Sequence, residues 1–232
     1  MTEVHLRKVR SFVRRPGRVT AAQQRALSAL LPRFGIAPGP QRLHWPAVFG
    51  RDALHVLDIG FGDGEALLTS AANNPSIDYL GVEVHPPGIG HLLLLLEKAD
   101  LTNVRIVDRD AADVVPQLLA DQCIDAVNLF FPDPWPKKRH HKRRLVQPPF
   151  VDEIARVLKT GGLFHIATDW SDYEQHSREL FDRHPQFEPI EPQILCHNPL
   201  AFRPPTKFER RGRKLGHDVF DLYYRKRPAA NA

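Results

Sequence analysis

Short apolar runs alternate with helical stretches over most of the chain. The runs suit buried parallel strands and cover Leu54–Ile59, Tyr79–Val84, Val104–Val107, Ile124–Phe131 and Leu163–Thr168. Helices are predicted at Glu65–Ala72, Ile89–Ala99, Ala112–Leu119, Pro149–Leu158 (closed by Gly161-Gly162) and Ser171–Arg183, and a last strand at Val219–Tyr224. Five strand–helix units in succession predict an α/β fold with an open, doubly wound, mostly parallel sheet.

The N-terminal part of the chain lacks this alternation. Residues 1–19 are basic and have no clear period, which predicts an arm that orders only on a partner. Thr20 is a predicted N-cap, and Gln23 completes a capping box for a helix that runs to about Leu31 and stops at Pro32. We therefore divide the chain into a basic arm and helix, residues 1–45, and an α/β domain, residues 46–232.

Positive charge is concentrated in two short segments. The chain has a net charge of +5, and residues 137–144, Lys-Lys-Arg-His-His-Lys-Arg-Arg, include six Lys or Arg. Residues 1–18 hold six more against a single Glu, so the rest of the chain is net acidic. Two basic segments on such a body predict a nucleic-acid surface more strongly than scattered solvated charges would.

Cysteine and histidine spacing indicates neither a disulfide nor a metal site. Cys123 and Cys196 have neither paired nor CxxC spacing, and the adjacent His140 and His141 are read as RNA-facing rather than metal-binding. No apolar signal segment is present at the N-terminus, and the longest apolar run, Leu92–Leu96, is too short to cross a bilayer. We expect a soluble, cytoplasmic protein without a metal.

A glycine-rich segment follows the first predicted strand. In Asp58-Ile-Gly-Phe-Gly-Asp-Gly, the glycines Gly60, Gly62 and Gly64 lie at the strand-to-helix turn, where nucleotide-type ligands bind in such folds. The spacing is GxGxG rather than the GxGxxG of dinucleotide sites. This turn predicts a nucleotide-type site other than a dinucleotide site.

Three acidic residues accompany the glycine turn. Asp58 precedes it, Glu83 near the end of the second strand is placed to bind both hydroxyls of a ribose, and Asp110 follows the third strand. Asp110 has the alternative role of a helix N-cap. An acid at residue 58 repels a phosphate and attracts a cation. S-adenosylmethionine, which carries a sulfonium, an ammonium and a ribose but no phosphate, therefore fits this set better than NAD.

Asp133 is the main candidate for a catalytic residue. It lies between Pro132 and Pro134, just after a strand that ends at Phe131, and the basic run follows closely. A rigid acid at a strand end suits catalysis or the reading of a base, and a polyanion bound by Lys137–Arg144 would pass close to it. The alternative is that Asp133 merely forms the turn between the two prolines.

The chain resembles the bacterial tRNA (guanine-N7)-methyltransferase family over nearly its whole length. The resemblance is carried, in order, by Arg10-Ser-Phe-Val-Arg-Arg, the glycine segment, Gly81-Val-Glu-Val-His, Phe130-Phe-Pro-Asp-Pro-Trp with the basic run, Thr168-Asp-Trp and Thr206-Lys-Phe-Glu-Arg-Arg-Gly. It implies that residues 46–232 form a Rossmann-like class I methyltransferase domain that uses S-adenosylmethionine. The implied substrate is tRNA, methylated at N7 of the variable-loop guanosine by a monomer or a homodimer, without a metal or a membrane.

The resemblance also implies roles for individual residues. The residues implied at the cofactor are Asp58, Gly60, Gly62, Gly64, Glu83, Asp110 and Asp133, and Asp133 is also placed at the reaction centre. The residues implied at the tRNA are Lys137, Arg139, Lys142, Arg143, Arg144, Asp169, Thr206, Lys207, Phe208 and Glu209. Asp169 has the alternative role of an N-cap for the following helix.

Two residues depart from the family pattern. Asp58 stands where Glu is usual and reaches one methylene less far, and Pro136 replaces a common His and stiffens the loop. Three alternatives stay open: methylation of rRNA or of an exocyclic nitrogen, an RNA-binding module that no longer catalyses, and, less favoured, an NAD enzyme. Trp135 and Trp170 are candidates for stacking on a base, or are simply buried.

Overall fold

The computed structural model describes residues 11–12, 17–37, 39, 41–214, 216 and 218–228. Most of the predicted basic arm, including Arg10, lies outside the described residues. The helices are α1 (Ala21–Phe34), α2 (Trp45–Phe49), α3 (Glu65–Asn73), α4 (Pro86–Ala99), α5 (Ala111–Leu118), α6 (Pro148–Val157), α7 (Ser171–Arg183) and α8 (Lys207–Lys214). The strands are β1 (Leu54–Ile59), β2 (Ile77–Glu83), β3 (Val104–Asp108), β4 (Ile124–Phe130), β5 (Leu158–Thr168), β6 (Phe187–Pro189) and β7 (Phe220–Lys226).

These strands form one seven-stranded sheet in the order β3-β2-β1-β4-β5-β7-β6. Strands β1 to β5 are parallel to one another, and β7 and β6 add antiparallel pairings at one edge. The chain winds from β1 outward to β3, then returns to β4 on the other side of β1. This confirms the predicted open, doubly wound, mostly parallel sheet.

Two hydrophobic cores cover the two faces of the sheet. One packs Leu57 and Ile59 of β1 against residues of α5, α6 and α7, and the other packs Val56 of the same strand against α1, α3 and α4. Alternate residues of β1 thus point to opposite cores, as the period of two in a strand requires. Within the described ranges, no helix is long and apolar enough to cross a membrane.

Helix α1 begins as predicted but ends later. The side chain of Thr20 accepts a hydrogen bond from the Gln23 N–H, and the reciprocal bond of the capping box is also present. The predicted stop at Pro32 is wrong, because the helix continues to Phe34, whose side chain is 1 % exposed in the core. Pro32 has no N–H to donate in the last turn, and the free energy gained by burying Phe34 offsets the lost hydrogen bond. Helix α1 therefore shares the core of the α/β domain.

One further prediction is wrong, and three short elements were not predicted. Gly161 and Gly162 do not close α6, which ends at Val157; they lie within β5, where Gly161 has a φ of +80° and the pairing with β4 shifts register. A left-handed glycine here makes a strand irregularity, as in a bulge. Helices α2 and α8 and strand β6 were not predicted, because they are short or almost entirely polar.

The first turn of α4 packs directly on the glycine turn after β1. A Cβ added at Gly88 would lie 2.0 Å from the carbonyl oxygen of Gly62, which is closer than two such atoms can approach. Gln23 of α1 adds to this packing, since its side-chain amide donates to the carbonyl of Pro87 at 3.1 Å. Glycine at residue 88 is thus required by close approach rather than by its φ.

We expect Gly88→Ala to lower the free energy of unfolding by about 1–3 kcal/mol, as other overpacked sites do. Alanine favours helices, so a loss would come from the collision with Gly62. Gly39→Ala is the control, because a Cβ there meets no atom within 4 Å. Urea unfolding of both variants checks this, and equal stability of Gly88→Ala and the unsubstituted protein would contradict it.

Candidate active site

A cleft opens at the carboxyl edge of the sheet, between the loops that follow β1 and β4. Its walls include Asp58 and residues 60–63 on one side, Phe130 and Phe131 on another, and Thr206–Phe208 across the mouth. The strand order reverses between β1 and β4, and ligands of doubly wound sheets bind where this reversal separates adjacent loops.

The glycine turn exposes its backbone toward this cleft. Gly60, Gly62 and Gly64 have φ values of +72°, +62° and +79°, all in the left-handed region that residues with a Cβ rarely adopt. The Gly62 N–H donates to Oε2 of Glu83 at 2.9 Å, and the Gly60 N–H donates to the Val82 carbonyl at 2.7 Å. The turn is therefore fixed to the end of β2.

Asp58 is an acid held almost out of water. It is 5 % exposed and lies between Gly81 of β2 and Asn128 of β4 in the strand register. Burial raises the pKa of Asp58 to about 7, against a hydrogen bond from the Asn128 side chain, and the charge of Glu83 raises it further. A buried carboxyl of this kind gains most from a bound cation.

Glu83 lies at the end of β2 and contacts Gly62 of the cleft wall. Its Oε1 accepts from the backbone N–H groups of Val84 at 2.6 Å and His85 at 3.0 Å, while Oε2 accepts from Gly62. Burial raises the pKa of Glu83, and these three backbone donors partly offset that rise. A carboxylate has about four acceptor positions. Three of them are used here, so one remains on Oε2 for a hydroxyl group of a ligand.

Asp110 follows β3 and caps helix α5. Its Oδ1 accepts from the Ala112 N–H at 3.1 Å, so the alternative role as an N-cap is observed. The same oxygen accepts from the Ser11 hydroxyl at 3.3 Å, and the Ser11 carbonyl accepts from Nε1 of Trp135 at 3.0 Å. Ser11 thus links the acid after β3 to the loop after β4, a contact that the sequence did not predict.

The loop after β4 carries Asp133 on a strained backbone. Phe131 and Trp135 both have positive φ values, +52° and +47°, although neither is glycine. Such residues cost of order 1–3 kcal/mol each and persist only where their surroundings fix them. The Phe131 N–H donates to the Ala167 carbonyl of β5 at 2.7 Å. Asp133 itself is exposed between these two points.

The basic run forms a short 3-10 helix, Lys138–Arg143, beside this loop. Lys137, Arg139 and Lys142 are exposed, and the Arg143 guanidinium lies 4.9 Å from the centre of the Trp135 ring. Arg144 differs from them, because it is 2 % exposed and its guanidinium is enclosed by protein. In this structure its side chain is therefore not available for the tRNA contact that the resemblance implied.

The segment Thr206–Glu209 closes one side of the cleft as the start of α8. The Thr206 hydroxyl accepts from the Glu209 N–H at 3.1 Å, and Lys207 lies 3.9 Å from the Asp63 carboxylate. The Phe208 side chain is exposed and lies 3.9 Å from the point that a Cβ would occupy at Gly62. Thr206, Lys207 and Phe208 thus adjoin the glycine turn, as cleft residues should.

Glu209 has a different position from its three neighbours. It is 2 % exposed and forms ion pairs with Arg203 and Arg213, which outweigh burial and lower its pKa. Arg203 also pairs with Asp221 of β7 at 2.8 Å, and Oδ1 of Asp221 lies 2.7 Å from Nε2 of His165 in β5. Glu209 therefore anchors α8 to the sheet. Its carboxylate is buried and in this structure is not available for the predicted tRNA contact.

Asp169 and Trp170 lie at the end of β5, on the same edge as the cleft. The N-cap position of α7 is Trp170 rather than Asp169, and Trp170 gives no side-chain capping bond. The Trp170 side chain is 39 % exposed, whereas Trp135 is half-buried. Across the described part of the chain, no cluster of His, Cys, Asp and Glu suited to a metal ion occurs.

The chain is similar to known methyltransferases in both sequence and fold. A family model described as "Putative methyltransferase" matches residues 52–222. A tRNA (guanine-N(7)-)-methyltransferase from Alkalilimnicola ehrlichii is 54 % identical over 95 % of this chain and 94 % of its own length. The enzyme of the same name from Halorhodospira halophila is 51 % identical over 96 % of both chains. A solved 16S rRNA methyltransferase, KamB, shares the fold with a TM-score of 0.55 at 16 % identity, over 79 % of this chain and 93 % of its own.

We expect the affinity for S-adenosylmethionine to fall as the pH drops below about 7, the raised pKa of Asp58. Below that pH the carboxyl of the free protein is neutral, whereas the cationic ligand favours the ionised form. The loss reaches at most about tenfold for each unit of pH, since one proton is linked to binding. Titration calorimetry between pH 5.5 and 7.5 measures it.

The control for this prediction is Asp58→Asn, which keeps the shape of the side chain but cannot ionise. We expect that variant to bind more weakly at pH 7.5 and to lose most of the pH dependence. If its affinity retains the same pH dependence as the unsubstituted protein, another group is responsible.

Proposed function

Since the chain belongs to the tRNA (guanine-N7)-methyltransferase family, we propose that it methylates N7 of the variable-loop guanosine of tRNA. It is a methyltransferase, and S-adenosylmethionine is its methyl donor. The observation that carries the proposal is the arrangement around one cleft. The glycine turn, the buried Asp58 and the half-buried Glu83 lie on one side, and the loop after β4, which carries Asp133 and is followed by exposed cations, lies on the other.

The residues of the cleft fit S-adenosylmethionine. Asp58 is a buried acid whose raised pKa favours a cationic partner, Glu83 keeps one acceptor position for a ribose hydroxyl, and the left-handed glycines allow close approach to the backbone. Neither carboxylate suits a phosphate, which disfavours a dinucleotide. When bound, S-adenosylmethionine supplies an electrophilic methyl group on a sulfonium centre.

Methylation of guanine N7 requires little general acid or base catalysis. N7 has an exposed lone pair and carries no proton, so no group has to remove one before it is methylated. The protein's task is therefore orientation, which can lower a barrier by about 7–11 kcal/mol in favourable cases. Asp133 is proposed to accept hydrogen bonds from guanine N1–H and the amino group, and to favour the positive charge that develops on the imidazole ring.

The exposed cations beside Asp133 support binding of the tRNA backbone. Lys137, Arg139 and Lys142 present charge to solvent next to the loop, and each phosphate contact by such a residue is sequence-independent. Selection of one guanosine then depends on the shape of the RNA or on an unstacked base. Trp170 and Phe208, both exposed at this edge, are the aromatic side chains best placed to stack on a base.

The cellular compartment and the oligomeric state of the enzyme are predictions. Cys123 and Cys196 are free thiols, which together with a tRNA substrate supports a reducing cytoplasm. A monomer or a homodimer is expected.

The proposed function is tested by methyl transfer from labelled S-adenosylmethionine to an unmodified tRNA transcript, followed by nucleoside analysis. We expect the label in 7-methylguanosine and expect it to disappear when the variable-loop guanosine is changed to adenosine. Label in a base-stable, exocyclic methylguanosine would show a different reaction, and label that survives the change would show a different target. Binding of the cofactor without any label would favour an RNA-binding module.

Substitution of Asp133 tests the proposed reaction centre. We expect Asp133→Ala to lower the single-turnover rate at saturating tRNA by about 100-fold or more, with little change in tRNA affinity, since the lost interaction acts on developing charge. Asp100→Asn, on an exposed acid at the far end of α4, serves as the control. A rate for Asp133→Ala equal to that of the control would remove Asp133 from the reaction centre.

A further inference from the structure

Arg144 connects the loop that carries Asp133 to helix α7. Its Nε donates to the carbonyl of Pro134, the residue after Asp133, at 3.0 Å. Its Nη2 forms an ion pair and a hydrogen bond with Asp172 in the first turn of α7. The guanidinium also lies 5.2 Å from the centre of the fully buried Tyr173 ring. One side chain thus joins the loop, the helix and the core.

The contact at Pro134 falls where the loop most needs support. Phe131 and Trp135, on either side of Pro132-Asp133-Pro134, have left-handed backbones that cost free energy. The two prolines have no N–H and cannot fix the loop by donating hydrogen bonds. The Pro134 carbonyl is a point at which the rest of the protein holds the backbone beside Asp133.

The surroundings of Arg144 are those of a structural group rather than of a phosphate ligand. Its side chain is 1 % exposed, whereas neighbouring Arg139 and Lys142 are exposed. Its charge is already balanced by Asp172, whose pKa is lowered chiefly by the hydrogen bond from Arg144. His141 lies 3.1 Å from Nη2 and 3.8 Å from Asp172, which completes the polar shell. To reach a phosphate, Arg144 would have to break all of these contacts.

We propose that Arg144 is a positioning residue, which holds the Pro134 carbonyl and thereby sets the place of the Asp133 carboxylate, and that it does not contact tRNA. This inference rests on the proposed function, in which Asp133 lies at the reaction centre. Asp172 is the partner that keeps the guanidinium turned inward. The planar fork of arginine serves both acceptors at once, which a lysine ammonium with a single nitrogen cannot do in the same geometry.

The test compares two neighbours in the basic run, through Arg144→Gln and Lys142→Gln. We expect Arg144→Gln to lower the single-turnover rate at saturating tRNA by about 100-fold, the loss that misplacement of a reacting group by about 1 Å can cause. Its tRNA affinity and the salt dependence of that affinity stay unchanged. Lys142→Gln has the opposite pattern: it raises KM for tRNA and reduces the slope of log affinity against log salt by about 0.7–0.9.

Two milder variants guard against simple unfolding. Arg144→Lys keeps the charge and should recover part of the rate, and Asp172→Asn changes an exposed carboxylate and should lower the rate in the same direction by less. Cooperative thermal unfolding of each variant shows that it is folded. If Arg144→Gln flattens the salt dependence as Lys142→Gln does, and keeps its rate at saturating tRNA, Arg144 is an RNA contact and the inference fails.

A readout that needs no activity separates this inference from the proposed function. Hydrogen exchange of the peptide that spans residues 130–136 should be faster in Arg144→Gln and Asp172→Asn, because the loop loses its support. Unchanged exchange in both variants overturns the inference even if tRNA is methylated. Faster exchange in a protein that does not methylate tRNA would support the role of Arg144 in holding the loop and would remove only the proposed function.

Discussion

The pairing of β1 with both β2 and β4 is the constraint on which the rest of the site depends. In this register Asp58 lies opposite Gly81 on one side and Asn128 on the other. The glycine turn and the loop of Asp133 leave the sheet next to each other for the same reason. A slip of one residue would turn Asp58 toward the opposite core and remove the acid from the cleft. The two hydrophobic cores, one on each face, fix the register by burying alternate residues of β1.

The cleft is built from groups that destabilise the free protein. Asp58 is a buried acid with a raised pKa, and Phe131 and Trp135 have left-handed backbones. Each of these is unfavourable locally and is kept in place by surrounding packing, ion pairs or hydrogen bonds. Left-handed residues also occur away from the cleft, at Asp100 and Gln122, so it is their combination with a buried acid of raised pKa that marks the cleft as functional. Binding of a cationic ligand next to Asp58 would relieve part of this unfavourable free energy.

The sequence predicted the regular part of this structure well, because burial controls it. The bounds of β1 and α7 match the predicted ranges, and both elements have apolar positions that face a core. Helix α8 was missed because Lys-Phe-Glu-Arg-Arg-Gly-Arg-Lys has almost no apolar period. Its stability comes from ion pairs of Glu209 with Arg203 and Arg213, and Arg203 lies outside the helix. The pair of Glu209 and Arg213 is a local i,i+4 contact. The contacts of Arg203 with Asp221, and of Ser11 with Asp110 and Trp135, join residues that no local pattern relates.

The side chains of the basic run have different surroundings in the structure, although the run is uniformly basic in sequence. Side chains three residues apart lie on the same face of a 3-10 helix. His140 and Arg143 accordingly both lie against the Trp135 ring, and His141 and Arg144 both face Asp172. Arg139 and Lys142 are left to face solvent.

Arg139 and Lys142 can therefore meet a phosphate without rearrangement, as can the exposed Lys137 and Lys138 at the start of the run. Burial, rather than the total charge of the run, therefore divides the exposed residues that can bind phosphates from Arg144, which holds the loop of Asp133. The run thereby joins the two tasks of the site. The short helix presents cations to the polyanion, and Arg144, at its C-cap, holds the loop that carries Asp133.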